Sequence, residues 1–176
     1  MSKLSKDELQ EMIISNPAEY NQIKADYPDI DLSELDFSGI NLDGIDFSDA
    51  DLVGASFAES SLNNVNFTNC DLTSCDFTRA SCNDCDFSES LLNGTDFSYA
   101  VLEYCEFADT DMAGCIFQGA NLVESDFSLA VNLNACRFDE ETVWPDTDKL
   151  PDDFDTGYTM DLAQIDDEDG IANKDY

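Results

Sequence analysis

Carboxylates are the reactive groups this chain holds in quantity: 40 Asp and Glu stand against 7 Lys and Arg, no His is present, and the formal net charge is −33. Seven cysteines add thiols, and Cys82-Asn83-Asp84-Cys85 spells C-x-x-C. A redox reading of that motif needs a strand–helix context that the flanking residues do not supply. No cysteine has a base beside it, and no thiol pair has partners at zinc-ligand spacing. Ile165-Asp166-Asp167-Glu168-Asp169-Gly170 fails as a calcium loop, because Ile165 and Tyr176 fall on its first and twelfth ligand positions. These residues argue against an enzyme, a cofactor and a metal site. They leave recognition through negative charge.

What must position that charge is a repeat. From Leu32 to Phe127 an apolar residue recurs at every fifth position and alternates Leu with Phe, as in Leu52, Phe57, Leu62, Phe67 and Leu72. Cys82 and Met112 replace Leu at two centres. A period of five fits neither a helix nor a strand, so it points to a solenoid whose units bury their faces by stacking. Two residues before each centre stands a small or apolar residue, such as Ala50, Val65, Cys75 or Ala120. Such an i, i+2 pair suits a very short extended segment, and the Ser-, Gly-, Asn- and Asp-rich pair after the centre suits a turn. All seven cysteines fall in these inward registers: Cys70, Cys75, Cys85, Cys105, Cys115 and Cys136 two before a centre, and Cys82 at one. They read as small core fillers. Cys85 and Cys105 should stack within disulfide reach, but an odd count and inward placement favour free thiols in a reducing, cytoplasmic compartment.

Segments such as Ala50-Asp51-Leu52-Val53-Gly54 and Ala120-Asn121-Leu122-Val123-Glu124 resemble the pentapeptide-repeat family. The resemblance spans about residues 28–138, with one residue gained after Phe127 before the register resumes at Leu133 and Phe138. It implies an all-β solenoid, a right-handed quadrilateral β-helix with four pentapeptides per coil. Residues twenty apart should then stack, Phe on two opposite walls and Leu on the other two. At about 4.8 Å per coil, about five and a half coils give a rod roughly 26 Å long.

Both ends of such a rod need covering. The N-terminal cap, residues 1–28, should hold two helices. Ser5-Lys6-Asp7-Glu8 is a capping box before Leu9, Met12 and Ile13, and Asn16-Pro17 opens a second helix carrying Tyr20, Ile23 and Tyr27 and ended by Pro28. The β-helix takes residues 29–138, and a terminal segment, 139–151, should fold Trp144 over the last coil. Residues 152–176 form an acidic tail, read as disordered over 161–176. No stretch is apolar enough to span a membrane, and Met1-Ser2-Lys3-Leu4 opens no signal peptide.

The repeat body carries 21 acids against Arg79 and Arg137. Acids immediately before a centre can bond local backbone N–H groups, but the rest are surplus. Sorted into twenty-residue columns, the acids concentrate on the wall of Asp46, Asp86, Glu106 and Asp126, on its corner of Asp49, Glu89 and Asp109, and on the next wall with Asp51 and Asp111. The wall centred on Leu42 is the least acidic. Around it the outward Tyr99, Val101, Tyr104, Ile116 and Val123 form a possible interface, including one for a homodimer.

Duplex DNA carries about 15 phosphates over 26 Å, close to the charge of this body. Some family members are DNA mimics that occupy the DNA-binding saddle of DNA gyrase and confer quinolone tolerance. The resemblance therefore implies a non-enzymatic DNA mimic competing for the basic cleft of gyrase or another nucleic-acid enzyme. An interaction module, such as a toxin immunity protein or a scaffold, stands beside it, with the acidity then serving solubility or a high-salt host. Direct nucleic-acid binding is not expected from a rod with two cations.

Overall fold

A computed structural model describes residues 4–26 and 30–156. Each five-residue unit makes one side of a square coil. The centre is buried, as at Leu52, Phe57 and Leu62. The residue two beyond it turns the corner in a left-handed conformation, as at Asp49 (φ 59°), Glu89 (φ 62°) and Tyr99 (φ 59°). A bond from the N–H three beyond the centre to the centre's carbonyl closes the turn, for example Ala55 N to Leu52 O at 2.9 Å. Each side is too short for a continuous strand, although several of its backbone groups bond to the neighbouring coils, as Leu52 N does to Asp71 O at 2.9 Å and Gly54 N to Thr73 O at 2.9 Å. Among the described residues the sides meet through isolated parallel bridges rather than continuous strands, as in the column Asp46, Asn66, Asp86, Glu106, Asp126.

Four walls result, named here for their first centres, Leu32, Phe37, Leu42 and Phe47. The Phe37 and Phe47 walls face each other. Within a wall the rings stack, as Phe87 does on Phe107 at 5.1 Å and 2°. Across the core they meet edge-on, as Phe87 meets Phe97 at 5.8 Å and 85°. Both are favourable arrangements for aromatic quadrupoles.

The polar residues of the repeat satisfy the backbone. In Asp86, for example, one carboxylate oxygen accepts the Ser88 N–H at 2.9 Å, and Asp126 does the same for Ser128 at 2.8 Å. The small inward residues are donors as well as fillers. Cys85 Sγ reaches Leu62 O at 2.7 Å, Cys105 Sγ reaches Cys82 O at 2.7 Å, and Thr95 Oγ1 reaches Leu72 O at 2.7 Å. For Leu62 O and Cys82 O the thiol stands in for the turn N–H, whereas Leu72 O also accepts the Cys75 N–H at 3.1 Å.

At the N-terminal end, α1 (Lys6–Ser15) begins with the capping box of Ser5 and Glu8, and α2 (Pro17–Ile23) begins at Asn16. A short 3₁₀ turn, Lys24–Asp26, follows. Tyr27 and Pro28 lie outside the described residues. Leu9, Ile13 and Tyr20 join the solenoid core. Polar side chains occupy the open edge of the first coil. Gln10 donates to Asp36 O at 2.9 Å, and Asn21 both donates to Gly44 O at 2.9 Å and accepts from Asp46 N at 3.0 Å.

At the other end the twenty-residue step lengthens. Asp111 pairs with Val131, but Ile116 pairs with Arg137 and Asn121 with Val143. The chain takes a 3₁₀ turn at Leu133–Ala135 on the way. Trp144 packs on Phe138 at 4.5 Å. Phe154, which the sequence placed in the tail, packs on both, at 5.4 Å from Trp144 and 5.9 Å from Phe138. The remainder of the tail, residues 157–176, lies outside the described residues. No helix among those described is long and apolar enough to cross a membrane.

Candidate acidic binding face

The Phe47 wall and its corner bring most of the expected acids together. Along the wall the bridge column runs Asp46, Asn66, Asp86, Glu106, Asp126. Beside it, at the left-handed corner, stand Asp49, Asn69, Glu89 and Asp109. Round that corner the Leu32 wall adds Asp31, Asp51, Asp71 and Asp111. Asp49, Asp51, Glu89, Glu106 and Asp109 are exposed, whereas Asp46, Asp86, Asp111 and Asp126 are half-buried.

Two kinds of carboxylate occur here. The aspartates of the bridge columns are tethered: one oxygen takes a turn N–H and the other remains outward. Glu106 is one methylene longer and, among the described residues, takes no such bond. Partial withdrawal of its carboxylate from solvent between coils, and then the charges of Asp126 above it and Asp86 below it, raise its pKa from the ordinary carboxylate value. Asp126 moves the other way, because the Ser128 hydroxyl and N–H stabilise its charged form. The centre of the column is therefore where negative charge is most crowded.

The two ends of the face are modified by lysines. Burial works against the charge of Asp46, but the Ser48 hydroxyl and Lys24 outweigh it and hold its pKa below the ordinary value. The Lys24 Nζ lies 3.1 Å from Asp46, with only 10% of its side chain exposed. At the far end Lys149 pairs with Glu124 at 2.9 Å. Asp46 is thus partly neutralised, a contact the sequence reading did not include. The open part of the face is Asp86, Glu89, Glu106, Asp109 and Asp126.

The expected apolar patch is divided. Tyr99 and Tyr104 are 50% and 55% exposed, but Val101, Ile116 and Val123 are half-buried between neighbouring coils. Tyr99 lies flat over Gly119, where a Cβ would come within 2.5 Å of its ring, and Arg79 sits 5.3 Å above that ring. The exposed apolar residues that were missed are Ile14 on α1 and Leu91, Leu129, Val131 and Val143 on the rod and its end. For two of them the signal was in the columns: Leu91 interrupts the Asp31, Asp51, Asp71, Asp111 series and Val131 ends it. Near Val131 a concavity of about 300 Å³ opens against Pro151 and Phe154.

No group of three or more His, Cys, Asp or Glu among the described residues is placed to hold a metal ion. The cysteines are free thiols. Burial pushes the Cys70 thiol up to about 12, and it raises Cys85 and Cys105 as well.

The family model for the pentapeptide repeat region matches residues 22–79 and 60–142. No curated relative matches by sequence. Among solved structures, a pentapeptide repeat protein from the cyanobacterium Cyanothece 51142 is 16% identical, with a TM-score of 0.64 over 74% of this chain and 98% of the other. QnrB1, a plasmid-mediated fluoroquinolone resistance protein, is 23% identical over 76% of this chain and 70% of the other, with a TM-score of 0.40. A pentapeptide repeat protein from the Arabidopsis thaliana thylakoid lumen is 31% identical over 56% of this chain and 65% of the other, with a TM-score of 0.22.

Proposed function

The chain belongs to the pentapeptide-repeat family, and from that premise we propose that it acts by binding, as a mimic of DNA that competes for a basic cleft on a nucleic-acid enzyme, DNA gyrase first among the candidates. The reading takes the rod as a right-handed square solenoid of about five and a half coils, capped by α1 and α2, working in the cytoplasm. One observation carries it: the carboxylates of Asp86, Glu106 and Asp126 are stacked on successive coils of a single wall, where partial desolvation and then the charges of Asp126 and Asp86 raise the Glu106 pKa. Unit charges about 4.8 Å apart repel by about 1 kcal/mol even in water. A wall that keeps such charges together suits a partner that supplies cations. Lys and Arg that ordinarily meet phosphates would meet these oxygens instead. In a supercoiling assay with gyrase, the protein should inhibit the reaction or protect it from quinolone, and the effect should weaken as salt rises. A salt-independent effect, or none, counts against the reading.

A second reading is favoured by the exposed Leu91, Tyr99, Tyr104, Leu129 and Val131. An interaction module, such as an immunity protein or a scaffold, or a homodimer, would use these residues rather than the acidic wall. Tyr104→Ser with Leu129→Ser should then abolish binding of a protein partner captured from native lysate, while Asp86→Asn with Glu106→Gln leaves it intact.

A further inference from the structure

We propose that Cys115 and Cys136 form a reversible oxidation site: a hydroperoxide oxidises the half-exposed Cys136, and Cys115 closes a disulfide on it that ties the final turn of the solenoid to the coil beneath. Neither residue has a place in the acidic face, so this inference stands apart from the binding function.

The geometry comes from the ladder. Ile116 and Arg137 are bridge partners, and the Arg137 N–H donates to Cys115 O at 2.8 Å. Cys115 and Cys136 are the residues immediately before that pair. Both point inward, with Cys115 Sγ donating to Leu92 O at 2.9 Å and Cys136 Sγ to Met112 O at 3.1 Å. The bridge therefore sets the two thiols on adjacent rungs of one inward column, and the neighbouring Cys136 thiol and burial both raise the Cys115 pKa. Neighbouring rungs lie about 4.8 Å apart, within the Cα window for a disulfide, although the Cβ atoms must close in slightly.

Two features single out this pair from Cys85 and Cys105, which are also rung neighbours. The first is access. Cys85 and Cys105 are buried, whereas Cys136 is half-exposed. The second is room to move. The Glu106 rung is held by Asp86 on one side and Asp126 on the other. Cys136 instead follows the 3₁₀ turn Leu133–Ala135, where the chain has gained one residue over the twenty-residue step.

The chemistry balances in two steps. The Cys136 sulfur attacks the peroxide, its O–O bond breaks, an S–O bond forms, and the displaced oxygen leaves as alcohol or water carrying the thiol proton. The Cys115 sulfur then attacks the sulfenic sulfur, the S–S bond forms, the S–O bond breaks, and water leaves with the second thiol proton. Two electrons pass from sulfur to peroxide oxygen, and a dithiol reductant reverses the product by exchange.

The test uses the full chain and hydrogen peroxide. Remaining thiols are alkylated in denaturant, the protein is reduced, the newly released thiols are labelled with a second reagent, and the tryptic peptide between Arg79 and Arg137 is sequenced by mass spectrometry. The expected result is a monomer lighter by two hydrogens, with the second label on Cys115 and Cys136 and full reversal by dithiothreitol. In Cys115→Ser, Cys136 should be trapped by dimedone as a sulfenic acid. Second labels on Cys85 and Cys105, a disulfide between chains, or seven thiols all still open to the first reagent would each overturn the proposal.

Discussion

Glu106 shows how one side chain reports on the whole wall. Its raised pKa means that the folded protein binds that proton more tightly than the unfolded chain does. Its charge therefore costs stability above the folded pKa, and the cost fades as pH falls through that value. Glu106→Gln should stabilise the protein at pH 7 by about 0.5–1 kcal/mol, after allowing for solvent screening. The gain should vanish in acid, where Glu106 is protonated, and urea melts at the two pH values check it. The tethered aspartates work in the opposite sense. Asp36, Asp46 and Asp126 have lowered pKa values, so their stabilisation is lost as pH falls through those values. Tyr20 offers a second residue-scale case. It is fully buried and its hydroxyl has no partner among the described residues, so Tyr20→Phe should raise stability by about 1 kcal/mol in the same melts. Gly119 is fixed by its neighbour. With φ at +64° and the Tyr99 ring in the space of its Cβ, Gly119→Ala should cost about 1–2 kcal/mol, and adding Tyr99→Ala should remove the steric part.

At the scale of elements, two integers determine the walls: five residues per side, which the residues show, and four sides per coil, which the family resemblance implied. Once the centres are found, the column of every outward residue follows, and the placement of Asp86 above Asn66 and below Glu106 needs nothing else. The helices show where that logic ends. The Ser5 and Asn16 caps are local signals and could be read directly. That Asn21 would bridge Gly44 and Asp46, or that Lys24 would reach Asp46, depends on how α2 lies across the first coil, and no periodicity encodes it. The same holds for residues 131–149, where added residues break the step that made the columns readable. Lys24 gives the element-scale prediction. Its ammonium is largely withdrawn from solvent against Asp46 and Ser48, so Lys24→Ala should cost about 1–3 kcal/mol. The loss should appear first as faster amide exchange in α1 and α2, ahead of the coils.

For the molecule as a whole, the distribution of charge matters more than its total. The body holds 21 acids and two arginines, yet Arg79 is occupied against Tyr99 and Lys24 and Lys149 attend the ends of the acidic face. What is left open spans three walls, with Asp86, Glu106 and Asp126 on one, Asp51, Asp71 and Asp111 on the next and Asp36, Asp76 and Asp96 on the third, beside a Leu42 wall that carries Asn41, Ser61, Ser81, Val101 and Asn121. A rod with one weakly charged wall among acidic ones presents its charge unevenly, so it can enter a basic cleft in a defined orientation. The most direct measurement is displacement of labelled duplex DNA from gyrase by the wild-type protein and by the Asp86→Asn, Glu106→Gln double variant, each at two salt concentrations. The account predicts displacement by the wild type that weakens steeply with salt, and an affinity for the double variant lower by about tenfold or more. Displacement by both proteins with equal affinity, or by neither, would contradict it.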